Sequence, residues 1–274
     1  MRHRRLWPYR LIGSPPKPPL VFLHGYLGSG EDWLQVAEQC AAQFLCILPD
    51  LPGHGQNTHQ PFTQPLSFEV IAEGLVTLIE ALGLDRVGLV GYSMGGRIAL
   101  YSALRRPQQI SALVLESCSP GLATGQARRQ RARVDDRRAK SILAGGLEAF
   151  VDHWYDMELF GTLKSQPCLF QEIREKRKMN DREWAAKVIS ELSPGRQPSL
   201  WPELGGLRLP TLLLAGALDS NYVEIIAAMD QKIPKSKVEI VPEAGHNIHL
   251  EHPSRFIKLV VDFLRESPLF LSNS

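Results

Sequence analysis

Residues 86–97 read RVGLVGYSMGGR, and the surroundings of one serine in this stretch decide the fold. Val87 to Val90 form a short apolar run without alternation, the pattern of a strand buried on both faces. RIALYSALR at 97–105 then carries helical periodicity, so Ser93 falls on a sharp strand-to-helix turn as the centre of a G-x-S-x-G pattern. Gly91 and Gly95 suit such a turn because it strains the serine backbone and draws neighbouring elements close together. Arg97 is the unusual letter. It lies one helical turn beyond the serine, and helix side chains lean toward the N-terminus, so its guanidinium is expected to reach the mouth of the site.

Five further apolar runs end in turn residues as buried parallel strands do: LVFLHG at 20–25, FLCILPDLPG at 44–53, ALVLES at 112–117, TLLLAGALD at 211–219 and VEIVPEAGH at 238–246. Helical patterns alternate with them. SFEVIAEGLVTLIEALG at 67–83 places Phe68, Ile71, Leu75, Leu78, Ile79 and Leu82 on one face, with Ser67 as N-cap and Gly83 as C-cap. HPSRFIKLVVDFLRE at 252–266 opens with Pro253 at the first helical position. The alternation predicts an α/β fold: one mostly parallel sheet covered by helices on both faces.

The alternation breaks once, between Glu116 and Thr211. Helical stretches around 126–143, 146–158 and 167–190, with a loop signal at 193–199, fill this gap. We read it as a helical cap of about 119–200 inserted into one domain with core 1–118 and 201–274, lying over the strand ends where sites in such sheets form. Between 121 and 200 there are fifteen Lys/Arg against eleven Asp/Glu, although the net charge of the 274 residues is only +2. These cations are interleaved with acids and match no nucleic-acid motif, so a nucleic-acid partner is not expected.

Composition adds bounds. No apolar segment reaches the 18 or so residues of a membrane span, and RHRR at 2–5 lacks the apolar run of a secretory signal. Four cysteines without CxxC pairing or zinc spacing fit reduced thiols and a cytoplasmic location. No metal or organic cofactor is implied.

A serine hydroxyl needs a histidine to take its proton and an acid to orient that histidine. Ser93, Asp219 after TLLLAGA and His246 in AGH after VEIV occur in the Ser, Asp, His chain order of the α/β-hydrolases. Among rival histidines His24 is expected to shape its turn, His249 and His252 to face solvent or start a helix, and His54 and His59 lack the strand-end position. Glu116 and Asp50 are alternative acids. The N–H groups of Tyr26, in HGYLG, and of Met94 are the expected oxyanion donors.

Joined to the cap, these motifs resemble the 2-succinyl-6-hydroxy-2,4-cyclohexadiene-1-carboxylate (SHCHC) synthases of menaquinone and phylloquinone biosynthesis, on the α/β-hydrolase fold. The elbow GYSMGGR matches that family's GYS-x-GGR, and Pro120-Gly121-Leu122 followed by Arg128 and Arg131 matches its cap opening. A Trp-Tyr pair recurs at Trp154 and Tyr155, and a later cap arginine aligns with Arg177, with Arg174 as competitor. The resemblance implies a lyase that releases pyruvate from a small polycarboxylate, with substrate contacts from Tyr92, Arg97, Arg128, Arg131, Trp154 and Arg177. Two other classes are alternatives: a serine hydrolase that uses the same residues with Ser93 as nucleophile, and a non-catalytic receptor on this fold, against which an intact triad argues.

Overall fold

The computed structural model describes residues 6–58 and 65–267; RHRR at 2–5 and His59 lie outside them. The strands are β1 (Tyr9–Ile12), β2 (Pro19–Leu23), β3 (Leu45–Pro49), β4 (Val87–Tyr92), β5 (Ile110–Glu116), β6 (Thr211–Gly216) and β7 (Ser236–Val241). The helices are α1 (Leu34–Cys40), α2 (Phe68–Ala81), α3 (Met94–Arg105), α4 (Gly125–Gly145), α5 (Leu147–Asp156), α6 (Pro167–Lys178), α7 (Arg182–Glu191), α8 (Ser220–Asp230), α9 (Ile248–Glu251) and α10 (Pro253–Arg265).

The strands form one sheet in the order β1-β3-β2-β4-β5-β6-β7. Every neighbouring pair is parallel except β1 with β3, an antiparallel edge that the sequence reading did not anticipate. Alternate residues of each strand feed two cores. Val21 and Leu23 face a layer with Ile71 and Leu75 of α2, Ile98 of α3 and Met229 of α8. Leu20 and Phe22 face the other layer, with Val36 of α1 and Phe256 and Val260 of α10. Strands buried on both faces read as continuous apolar runs, which is why the six parallel strands were visible in the sequence.

Local signals set the helix ends. Ser67 accepts from the Val70 N–H at 3.2 Å and so caps α2. At its other end Gly83 stands one place beyond the C-cap Leu82, with φ +67°, and Leu84 N–H reaches Ile79 O at 3.1 Å, closing a Schellman turn. The stretch expected as helical over 167–190 is two helices, because Asp181 interrupts it and caps α7 through the Trp184 N–H at 2.8 Å. Helices α4 to α7 share a third apolar cluster that includes Ile142, Phe150, Ile173 and Ile189. Leu27, from the loop after β2, packs into that cluster, so the cap rests on the core beside the carboxyl ends of the strands.

Candidate active site

The turn between β4 and α3 holds Ser93 at φ 49° and ψ −106°, a left-handed conformation outside ordinary side-chain preference. Two close approaches make it possible. A Cβ on Gly95 would lie 2.1 Å from Leu23 O, and one on Gly91 would lie 2.6 Å from Gly95 O. Ser93 N–H donates to Glu116 O at 2.9 Å and Arg97 N–H to Ser93 O at 3.0 Å, so the elbow is tied to β5 and starts the helix directly.

His246, in the loop after β7, brings Nε2 to 3.2 Å from Ser93 Oγ. Its Nδ1 lies 2.7 Å from Asp219 Oδ2, in the turn after β6. Asp219 thus sets the ring so that Nε2 faces the hydroxyl and can take its proton. Tyr222, one turn into α8, packs its ring 4.8 Å from His246, and burial pushes its hydroxyl up to about 12. Tyr26 and Met94 line the same cavity as Ser93 and His246. Met94 opens α3, where backbone N–H groups have no acceptor within the helix.

The rivals are used elsewhere. Asp50 accepts from Gly30 N–H at 2.8 Å and Gln56 N–H at 2.9 Å, fixing a loop. His24 Nε2 accepts from Leu51 N–H at 3.0 Å while Nδ1 lies 2.8 Å from Gly25 O, so it does shape its turn. His252 is half-buried at the start of α10, as anticipated. His249 does stand at the start of α9, but it does not face solvent: it is buried, stacks on Trp33 at 4.2 Å, and lies 2.9 Å from Glu116 Oε1. Glu116, fully buried, is therefore a partner of His249 and not of His246. The HNIHLE segment turns His249 inward because α9 winds directly after His246.

A cavity of about 250 Å³ opens beside Ser93, lined among others by Arg97, Arg131, Asp135, Trp154, Tyr222 and His246. Arg97 is 8% exposed and rests 5.3 Å above the Phe68 ring. Its NH1 donates to Leu192 O at 3.0 Å and Gln197 Oε1 at 3.1 Å, and among the described residues it has no carboxylate at ion-pair distance. Burial pulls its pKa down to about 10. Arg131, on the inward face of α4, donates Nε to Asp135 Oδ2 at 2.8 Å. Trp154 meets Tyr26 edge-on at 5.6 Å and lies under the Arg138 guanidinium at 5.0 Å.

A smaller lobe of about 40 Å³ continues past Ser93 and His246 between Tyr92, Tyr155, Arg177 and Asp32. Tyr92 is buried there, 5.4 Å from the His246 ring. Of the two candidate cap arginines, Arg177 lines this lobe, whereas Arg174 pairs with Asp152 and lies over Phe170. Arg177 is not a free cation. Its NH1 and NH2 grip Asp32 at 2.9 and 2.7 Å and its Nε reaches the Tyr155 hydroxyl at 3.2 Å. Burial opposes this charge, but Asp32 and Tyr155 outweigh it and raise the Arg177 pKa. Arg128 lines neither lobe, contrary to expectation. Three residues along a helix rotate its side chain by about 60° from that of Arg131, and its turn packs where the Gly195 backbone closes on α4.

Sequence reasoning missed Asp32, Asp135, Tyr222 and Glu251. Asp32 and Asp135 carry no local signal, since each acts on groups brought near only by folding. Glu251 does lie within the AGHNIHLEHP stretch, yet nothing in its spacing marks it as more than a helix residue. Among the described residues no cluster of His, Cys, Asp or Glu could hold a metal ion, and no helix is long and apolar enough to cross a membrane.

The sheet order, the strained elbow and the Ser93, Asp219 and His246 geometry define an α/β-hydrolase, and residues 18–253 match the family model described as "alpha/beta hydrolase fold". The chain is 38% identical over 256 residues to the putative SHCHC synthase of Bacillus subtilis, covering 92% of each protein. It is 34% identical to the structure of MenH from S. aureus, with a TM-score of 0.90 over 94% of this chain and 98% of that one. It is also 41% identical to Protein PHYLLO, chloroplastic, of Arabidopsis thaliana over 89% of its own length, but spans only 15% of that protein. The chain belongs to the SHCHC synthase family of the α/β-hydrolase fold.

Proposed function

We propose that this chain is a lyase that eliminates pyruvate from 2-succinyl-5-enolpyruvyl-6-hydroxy-3-cyclohexene-1-carboxylate to give SHCHC in menaquinone or phylloquinone biosynthesis. Relatives of nearly equal length carry the same activity in their names. The observation in the site that supports this reading best is Arg97, a buried guanidinium facing the Ser93 cavity with no carboxylate partner among the described residues. A buried cation without a counter-ion is costly, and a substrate bearing carboxylates supplies the missing charge.

The reaction moves the ring double bond from position 3 to positions 2 and 4. Ser93 Oγ takes the proton from ring carbon 2, α to the succinyl carbonyl, as it gives its own proton to His246 Nε2. Asp219 steadies the imidazolium that results. The electron pair enters the carbonyl as an enolate, whose oxygen is held by the N–H groups of Tyr26 and Met94. As the enolate reforms the carbonyl, a double bond forms between carbons 2 and 3 and the original one shifts to carbons 4 and 5. The bond from carbon 5 to oxygen breaks in that same step, and its electron pair stays on the departing oxygen. Pyruvate leaves as its enol form and takes up the proton held by His246. Arg97 and Arg131 hold substrate carboxylates in the larger lobe, and Arg177 steadies the smaller one; Tyr92 and Trp154 form walls. No acyl-enzyme is formed.

The test is pyruvate release from the enolpyruvyl substrate by wild type and Ser93→Ala. Wild type is expected to exceed the spontaneous rate and the variant to fall back toward it. No release by wild type, with a burst on an activated ester, would replace this reading with that of a serine hydrolase.

A further inference from the structure

Asp135 is fully buried in the cap and lines the cavity that holds Ser93. A carboxylate there is paradoxical if the cavity receives polycarboxylates, since like charges repel. Its contacts resolve the paradox. Oδ2 accepts from Arg131 Nε at 2.8 Å and from Ser193 Oγ at 2.6 Å, and Oδ1 accepts from Arg138 NH1 at 2.8 Å. Each of these donors leads to a wall of the cavity. Arg138 lies over the Trp154 ring at 5.0 Å. Ser193 follows Leu192, whose carbonyl accepts from Arg97, and Gln197, the other acceptor of Arg97, lies in the same loop.

From these contacts, and resting on the function proposed above, we infer that Asp135 is a positioning residue for substrate recognition. It takes Arg131 by its Nε edge, which leaves the terminal NH1 and NH2 fork directed at the cavity for a carboxylate of the substrate. Through Ser193 it also steadies the loop that aims Arg97. Two guanidinium groups against one carboxylate leave this cluster cationic, so the buried anion orients without cancelling the attraction.

Charge and position predict opposite outcomes for Asp135→Asn. Removing an anion from an anion-binding cavity should tighten binding if charge alone matters. If Asp135 acts by position, KM should rise about 10- to 100-fold while kcat stays within a few-fold, because the triad is untouched. In an Arg131→Gln background, where the fork is already gone, Asp135→Asn should add much less to KM than it does in wild type. Should Asp135→Asn not fold, Ser193→Ala tests the same point with the charge retained, and KM should again rise with kcat kept. Steady-state pyruvate release measures all of these. An unchanged or lowered KM in Asp135→Asn, an additive effect in the Arg131→Gln background, or, where Asp135→Asn does not fold, an unchanged KM in Ser193→Ala, overturns the inference while wild-type activity leaves the proposed function standing. No pyruvate from wild type removes both.

Discussion

Arg97 occupies a place where a charge works against folding. With burial pulling its pKa down to about 10 from an ordinary 12.5, the charged form at neutral pH is disfavoured by about 3 kcal/mol relative to the unfolded chain. The bonds to Leu192 O and Gln197 Oε1 offset part of that penalty, and no ion pair among the described residues offsets the rest. A residue kept for stability would be apolar here, above Phe68 and beside Cys118. Arg97→Met is therefore expected to raise Tm by about 2–4 °C. Loss of the cation should also lower kcat/KM by about 2–5 kcal/mol of transition-state stabilisation. Thermal denaturation and steady-state kinetics check the pair. A variant that melts lower and still turns over substrate with wild-type KM would make Arg97 a structural cation.

At the scale of elements, the proposed mechanism rests on loops held from behind. The His246 loop is clamped by Glu251 of α9, whose Oε2 accepts from Gly245 N–H at 2.8 Å and Oε1 from Asn247 N–H at 3.2 Å. One buried carboxylate thus fixes the backbone on both sides of His246. Glu251→Gln turns one acceptor into a donor facing a backbone N–H, a mismatch of about 1–3 kcal/mol. Glu251 holds the His246 loop and makes no hydrogen bond to Arg97, Arg131 or Arg177, so kcat should fall about tenfold or more while KM holds. Stopped kinetics on the natural substrate would decide, and an unchanged kcat would remove Glu251 from the machinery. The contrast between Ser93 and Glu251 shows what a sequence carries. Ser93, Asp219 and His246 each follow an apolar run, and a strand end is a local signal. The parallel strands, α2 and α10 were legible for the same reason: periodicity and caps are written within a dozen residues. The antiparallel edge β1 has only four residues with an exposed pattern, too short to register. His249 looked exposed because its burial depends on Trp33 and Glu116, which are far away in the chain. The pairing of Arg177 with Asp32 joins residues 145 apart and could not be read at all.

Among the described residues helices α4 to α7 pack beside the strand ends, and His24, His54 and Asp32 at that joint respond to acid in the same direction. Asp32, after β2, grips Arg177 of α6, and the rings of His24 and His54 lie 4.9 Å apart in the adjoining loops. Burial lowers the pKa of His24, and burial with the neighbouring His24 pushes His54 down to about 3 from an ordinary 6.5. Below pH 6.5 the unfolded chain therefore binds protons at these imidazoles that the folded chain does not, so stability falls as pH drops. Burial works against the Asp32 carboxylate, but Arg177 prevails and holds its pKa below 3.8; its contribution is present above that value and is lost as pH falls through the folded pKa. For His54 the window runs from about 6.5 to about 3, with a slope approaching 1.4 kcal/mol per pH unit. Replacing His54 with Phe keeps a ring against Tyr26 and His24 but removes the titration. Urea unfolding between pH 7 and pH 4 should then show a slope shallower than wild type by up to about one proton, whatever the variant's absolute stability. Equal slopes in the two proteins would mean that His54 takes up its proton over the same pH range in the folded and unfolded chains, and that the joint does not hold its imidazoles neutral.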